Sequence, residues 1–471
     1  MMKNILSFLL FLAALTNTAY AADGYTINIQ YSDVANQGVY LAHYYGTPLP
    51  TIFKVDSTVL DGKGKATLKS DNKIVGGLYL IVLPEKSVYF EVLLNNGDKL
   101  DITAKADGLP LELKYKSSAE NNRFVEYSSF LSEVGTKHQE LMEKLKTAKT
   151  SKDSTAVQEE MQKLGNSVKK YRKDYVKQYP KTLLSNIFSA LEVPEVPSSI
   201  KNKDDQFWYY KRHYWDGVDL TDDRLTYTPL LDNKLSEYFG QLVAPVADTF
   251  NAEADILLEK ARPSKEMFKY ILNWLTTYVQ KSDVMGMDAV FVHLVENYHM
   301  KGEAFWLSQG TLQKYIDRAR SIAPNVVGNV APEIKMKGMD GKDYSLLGTD
   351  AKYTLLVFWS PDCGHCREVI PKVDSLYKAA KLKEKGMKIY GFNVDRDMPV
   401  EQWQKVIKEF ELNDWIHVND PDGTSRYRSN YDVYGTPSIY LMDDKKIIRG
   451  KKLDHTNILQ VIDIIKSKTD K

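Results

Sequence analysis

Only two cysteines occur in 471 residues, Cys363 and Cys366. Two thiols cannot build a disulfide framework, and they cannot supply a Cys₄ zinc site. An excess of one charge is also missing. Lys and Arg total 63 against 62 Asp and Glu, which leaves no basic surplus for nucleic acid. Past the first residues, no apolar run reaches the ~20 residues that a membrane span needs. Core-forming residues, by contrast, are plentiful: 43% of the chain is hydrophobic and 11% aromatic. That excludes global disorder and predicts two or three ordinary cores.

The first residues read as an export signal. Lys3 precedes an apolar run from Ile5 to Leu15, then Thr16-Asn17-Thr18 and Ala19-Tyr20-Ala21. A positive start, a short apolar core and a small-x-small end predict a secretory signal peptide over residues 1–21, cleaved after Ala21. The mature chain is then exported, to a periplasm or cell envelope. No cysteine follows the cleavage point, so no lipid anchor is expected.

Three patterns follow along the chain. From 22 to 115 the period is two: Tyr25, Ile27, Ile29 and Tyr31 alternate with polar residues, and Asp61-Gly62-Lys63-Gly64, Gly76-Gly77 and Asn96-Gly97-Asp98 supply turns. These features predict an antiparallel β-sandwich of about seven strands. His43, in the stretch His43-Tyr44-Tyr45, is expected to pack rather than to ligate. From 116 to 325 the period is helical. Phe124, Phe130, Leu131, Val134, Leu141 and Leu145 are followed by a break over Thr147–Asp153, and a second segment runs from Ala156 to Tyr179. An antiparallel helical hairpin is expected there. The aromatics of Phe207-Trp208-Tyr209-Tyr210 and Tyr214-Trp215 read as core, and His293 and His299, six apart, point to different helix faces. From 326 to 471 strands alternate with helices, which predicts a mostly parallel sheet covered on both faces. The architecture is thus multidomain: an N-terminal antiparallel β-sandwich, an α-helical middle domain and a C-terminal α/β domain.

Chemistry concentrates in that last domain. Cys363-Gly364-His365-Cys366 stands where the apolar strand Tyr353–Trp359 turns into a helix. A cysteine at a helix N-terminus meets unpaired N–H groups and the positive end of the macrodipole, and both favour a thiolate. Charge on His365 acts in the same direction, as does Arg367, with Gly364 completing the turn. A lowered pKa makes Cys363 a nucleophile and a good leaving group, while Cys366, one turn further in, is shielded and able to attack a mixed disulfide. The competing readings of the pair are weaker. A structural disulfide closing so short a loop adds little stability, and a zinc site needs two further ligands. A second element, Gly435-Thr436-Pro437-Ser438, opens the strand Ser438–Met442 and leaves the Thr436 backbone able to pair with an extended substrate chain.

From about Val327 the chain resembles the exported thioredoxin-like oxidoreductases of the TlpA-like kind. The residues that carry the likeness are Ala331-Pro332, the run from Phe358-Trp359-Ser360-Pro361-Asp362 into Cys363-Gly364-His365-Cys366, Pro371, and Thr436-Pro437. The upstream residues resemble a multidomain form common in Bacteroidota, in which a β-rich and a helical domain of unknown function precede the thioredoxin domain. Val55-Asp56-Ser57, Asn95-Asn96-Gly97-Asp98, the stretch Tyr214–Leu220 and the stretch Met285–Val290 carry that part. The resemblance implies a thioredoxin fold in which Cys363 attacks, Cys366 resolves, Pro437 is a cis-proline, and Thr436, Pro437 and Trp359 meet the substrate. It implies no metal and no organic cofactor, only a redox-active Cys363–Cys366 disulfide. The chain departs from the family at two places where acids often stand, which hold Val357 and Val369, and this leaves the proton acceptor for Cys366 open between Glu368, one place earlier, and a water.

The expected partners are cysteine-containing exported proteins and a membrane or envelope redox partner that recharges the dithiol, with no nucleic acid. The upstream domains are expected to hold a partner or to fix an oligomer. Reductant, isomerase and oxidant roles all fit these residues. Two other readings compete with disulfide exchange: a non-enzymatic envelope scaffold with a redox-sensing dithiol, and a thiol peroxidase. The latter signature asks for Pro where Leu356 stands, although Ser360 fits.

Overall fold

The structure, a computed structural model, describes residues 23–45, 52–84 and 88–469. The leader expected over residues 1–21 lies outside the described residues. The described residues divide into two compact units. One runs to Leu235 and includes Ser264–Met267; the other holds Ser236–Pro263 and everything from Phe268 onward.

The first unit opens with strands β1 (Tyr25–Tyr31), β2 (Gly38–Tyr44), β3 (Ile52–Val59), β4 (Lys65–Ser70), β5 (Gly77–Val82), β6 (Tyr89–Leu94), β7 (Asp98–Ala104) and β8 (Leu113–Tyr115). Among the described residues they form two four-stranded sheets, ordered β4-β1-β7-β8 and β3-β2-β5-β6. The period-two residues Tyr25, Ile27, Ile29 and Tyr31 all face the core between the sheets, as alternation requires. One expectation fails. The sandwich is not wholly antiparallel, because β1 pairs parallel with β7 from Tyr25↔Asp98 to Tyr31↔Ala104. The chain reaches β7 by way of the other sheet rather than through a hairpin, so it re-enters in the direction of β1.

Helices α1 (Ala119–Thr147) and α2 (Ser151–Gln178) form the expected hairpin. The Ser118 and Thr150 hydroxyls cap their first turns by accepting from Asn121 N and Asp153 N, which satisfies otherwise orphaned donors. Asn121, 1% exposed, uses its amide as a strand would. Its Oδ1 accepts from Leu93 N at 2.8 Å and its Nδ2 donates to Leu93 O at 2.8 Å, beside β6. Helices α3 (Leu183–Leu191), α4 (Lys203–His213) and α5 (Leu230–Glu237) follow. His43 packs as expected, stacked on Tyr227 with ring centroids 3.9 Å apart. Tyr214 is core, but Phe207 and Trp208 on α4 are 41% and 51% exposed. That corrects the reading of this aromatic run as core; the outward face of α4 carries them.

In the second unit come α6 (Ala247–Ala261), α7 (Lys265–Lys281), whose first residues belong to the other unit, α8 (Met287–Leu294) and α9 (Gln309–Ile322). His293 pairs with Asp255 and His299 with the carbonyl of Leu294, so the two do face different ways. Then follow β9 (Lys335–Gly338), β10 (Asp343–Ser345), β11 (Tyr353–Trp359), α10 (Gly364–Ala379), β12 (Met387–Asn393), α11 (Val400–Glu409), β13 (Ile416–Asn419), α12 (Tyr427–Asn430), β14 (Ser438–Met442), β15 (Ile448–Lys451) and α13 (Ile458–Thr469). The strands make one sheet, ordered β10-β9-β13-β12-β11-β14-β15.

This sheet is mixed rather than mostly parallel. Only β11–β12 and β12–β13 run parallel, while β14, β15 and the β9–β10 hairpin add antiparallel edges. Helices do cover both faces, and β11 shows why its residues form an unbroken apolar run. Leu355, Val357 and Trp359 enter one core with α10, α11 and α13. Leu356 and Phe358 enter the other, with Tyr427 and Tyr431. A strand buried on both faces has no polar side to show.

Candidate active site

The two-sided burial of β11 fixes where its C-terminal end stops, and the site begins there. After Trp359, Ser360-Pro361-Asp362 turns the chain into α10, and Cys363 is the N-cap, with φ −78° and ψ 116°. Its Sγ accepts from Cys366 N at 3.4 Å, in the place a Ser or Asp oxygen takes in an ordinary cap. The same Sγ donates to Thr436 O at 3.4 Å. The Thr436–Pro437 peptide is cis, and β14 carries it beside β11 through the Phe358↔Ser438 pairing. Sequence-distant elements thus meet at the two cysteines, both of which are free thiols.

The two sulfurs sit in different environments. Cys363 is half-buried and opens onto a cavity of about 380 Å³, lined also by Ser360, Asp395, Arg428, Tyr434 and Thr436. Cys366 is fully buried in the core beneath α10. Burial pushes the Cys363 thiol up, but the Thr436 hydroxyl, the Cys366 side chain and the backbone N–H groups of Cys366 and His365 outweigh it. Its pKa therefore lies below that of an ordinary thiol. Burial dominates at Cys366 and pushes its pKa up to about 12.

The remaining expected residues divide. Gly364 opens the first turn of α10 with open space around the position of a Cβ. His365 is exposed, and its backbone N–H is among the groups that lower Cys363. Arg367 is held elsewhere: its guanidinium pairs with Glu409 at 2.5 Å, donates to Pro361 O and lies over the Phe410 ring. The inward face of α10 is Cys366, Val369, Ile370 and Val373. Helical periodicity therefore turns His365, Arg367 and Glu368 outward.

Two corrections follow from packing. Trp359 cannot meet a substrate, because it is fully buried in the core shared with Val357 and Cys366; strand alternation turns it into that core. Glu368 does not approach Cys366, being paired at 3.0 Å with Lys372 on the exposed side of α10. The position of Val357 is core and carries no acid.

Several residues of the site were not foreseen. Asp395 accepts a hydrogen bond from the Ser360 hydroxyl and lines the Cys363 cavity with Arg428 and Tyr434. The signal for Asp395 was available. It lies just past β12, whose parallel register puts Asn393 beside Trp359, and ligand crevices open at the carboxyl ends of adjacent parallel strands.

The Thr436 hydroxyl offers a direct test of the electrostatics. In the Thr436→Val variant the donor is lost, so the Cys363 pKa rises. Its alkylation by iodoacetamide, which follows the thiolate, is expected to climb at higher pH than in the unaltered protein. An unchanged profile would assign the tuning to the helix N-terminus alone.

Parts of the chain are similar to known proteins. Residues 327–451 match the AhpC/TSA family, while 134–322 and 25–124 match two domains of unknown function, DUF5106 and DUF4369. The chain is 30% identical over 140 residues to the thiol:disulfide interchange protein DsbE of Pseudomonas fluorescens biotype C, covering 29% of this chain and 71% of that protein. It is 28% identical over 132 residues to the thiol-disulfide oxidoreductase ResA of Bacillus thuringiensis subsp. konkukian, covering 28% of this chain and 72% of that one. Among solved structures, a domain of a possible thiol-disulfide isomerase from Cytophaga hutchinsonii is 31% identical, covering 32% of this chain and 99% of that domain, with a TM-score of 0.29.

Proposed function

Because the chain belongs to the thioredoxin-like thiol–disulfide oxidoreductases, we propose that it exchanges disulfides with exported proteins through Cys363 and Cys366. The observation that supports this reading is the asymmetry of the two sulfurs: one opens to a cavity with a lowered pKa, and the other is sealed with a raised one.

In the reducing direction the Cys363 thiolate attacks one sulfur of a substrate disulfide. A mixed disulfide forms, and the other substrate sulfur leaves as a thiolate that takes up a proton from water. Cys366 then gives up its proton and attacks Cys363 Sγ. The Cys363–Cys366 disulfide closes, the second substrate thiolate departs, and two electrons have passed to the substrate. The oxidising direction is the reverse. The Thr436 backbone, whose carbonyl lies beside the reacting sulfur, is the pairing site for an extended substrate strand in this reading. No metal or organic cofactor enters any step.

Among the described residues no helix is long and apolar enough to cross a membrane. We place the mature chain, after removal of residues 1–21, in a periplasm or cell envelope, recharged by a membrane or envelope redox partner. Stabilising the Cys363 thiolate favours the dithiol form and raises the potential. The expected value lies between ~−270 mV, as in thioredoxin, and ~−120 mV, as in the strongest bacterial oxidant. Equilibration with glutathione buffers and reduction of insulin by the mature chain test this. A potential at or below the lower limit would overturn the electrostatic argument. Peroxide consumption far faster than insulin reduction would favour a thiol peroxidase instead.

A further inference from the structure

The loop that brings Thr436 to Cys363 is held from outside the thioredoxin-like domain. Arg318, Ser321 and Asn325 lie at helical spacing on α9 and just beyond its end, so they share one face. All three reach the segment that runs from the last residue of α12 towards β14. Arg318 Nη1 pairs with Asp432 Oδ1 at 2.9 Å, Ser321 Oγ donates to the same oxygen at 3.4 Å, and Asn325 Nδ2 donates to Asn430 O at 2.9 Å. Asn325 is fully buried, and it also accepts from Lys451, whose ammonium pairs with Asp288 at 2.5 Å. Asp432 adopts φ 52°, a left-handed conformation that a non-glycine residue keeps only where its surroundings hold it.

Two residues on, Tyr434 is 68% exposed at the rim of the Cys363 cavity. The Arg318 guanidinium lies 5.0 Å from its ring centroid, within the range of cation–π contact. One arginine therefore grips both the strained residue and the exposed ring of the substrate-facing loop.

We propose that Arg318 is a positioning residue for substrate. It fixes the Asp432–Thr436 loop and presents the Tyr434 ring as a platform for an apolar or aromatic side chain flanking the cysteine of an extended polypeptide. This rests on the disulfide-exchange reading, and it gives the end of the helical segment a role in substrate choice. Such a platform matters for a polypeptide disulfide and not for a small one without flanking side chains.

The test uses the mature chain with insulin and with bis(2-hydroxyethyl) disulfide. Arg318→Ala is expected to raise KM for insulin about tenfold with kcat within about twofold, while turnover of the small disulfide stays unchanged. Tyr434→Ala is expected to raise KM for insulin by a similar factor. Because both act through one contact, the double variant should be no worse than the poorer single, and Arg318→Lys, which keeps the charge, should recover part of the loss. An unchanged KM for insulin in Arg318→Ala, an equal loss on both substrates, or multiplying losses in the double variant would overturn the proposal. If Arg318→Ala fails to fold, Tyr434→Ala decides, since its ring is exposed: an unchanged KM for insulin rejects the platform. A parent protein that turns over neither disulfide removes the exchange reading itself.

Discussion

The Cys363→Ser variant is expected to lose insulin reduction by about 10³-fold or more, the scale on which removing a nucleophile acts. Cys366→Ala should fail differently. It retains the open, lowered-pKa sulfur but lacks the buried one that resolves the adduct. It should therefore accumulate a mixed disulfide that migrates as a larger species on non-reducing gels and disappears with dithiothreitol. From an envelope fraction the same variant should carry captured proteins, whose identities name the substrates. The double variant should carry none. Insulin reduction left intact by Cys363→Ser would instead support a scaffold whose dithiol only senses redox state.

A second large effect concerns stability rather than rate. Trp359 is fully buried among Val357, Cys366 and the helices on that face of the sheet. Replacing it by alanine removes a large apolar side chain from a closed core, which costs about 3–5 kcal/mol. The unfolding midpoint of that unit in urea should fall accordingly. A substrate contact would behave otherwise, raising KM with little loss of stability, so the variant separates the two roles.

These two cases show where sequence reasoning reached and where it stopped. The strand Tyr353–Trp359, the cysteines at the start of the next helix and the proline before Ser438 are legible because each is a local signal. A double-faced strand must be apolar throughout, and a helix start and a strand entry have their own residue preferences. Orientation was the weak point. Trp359 is near Cys363 in the chain, yet strand alternation sends it into the core with Leu355 and Val357. Arg367 adjoins Cys366, yet the helical turn directs it to Glu409.

Partners supplied by distant segments were out of reach for another reason. Nothing local to Arg318 or Tyr434 says that α9 touches the loop before β14. Strand β13 is only Ile-His-Val-Asn, too short to stand out from a loop. The parallel pairing of β1 with β7 likewise depends on the path of the chain through the other sheet, which no hairpin signal records.

The ammonium of Lys451, on the last strand of the sheet, is 3% exposed, and its counter-charge is Asp288 in α8. The match to the AhpC/TSA family begins at residue 327, whereas Asp288 lies in the separate DUF5106 match. A module excised at that boundary would keep the cation and leave behind its anion, baring to water a face that the intact chain keeps dry. Where ancestry draws a border and where a polypeptide tolerates scissors are, in this chain, different addresses.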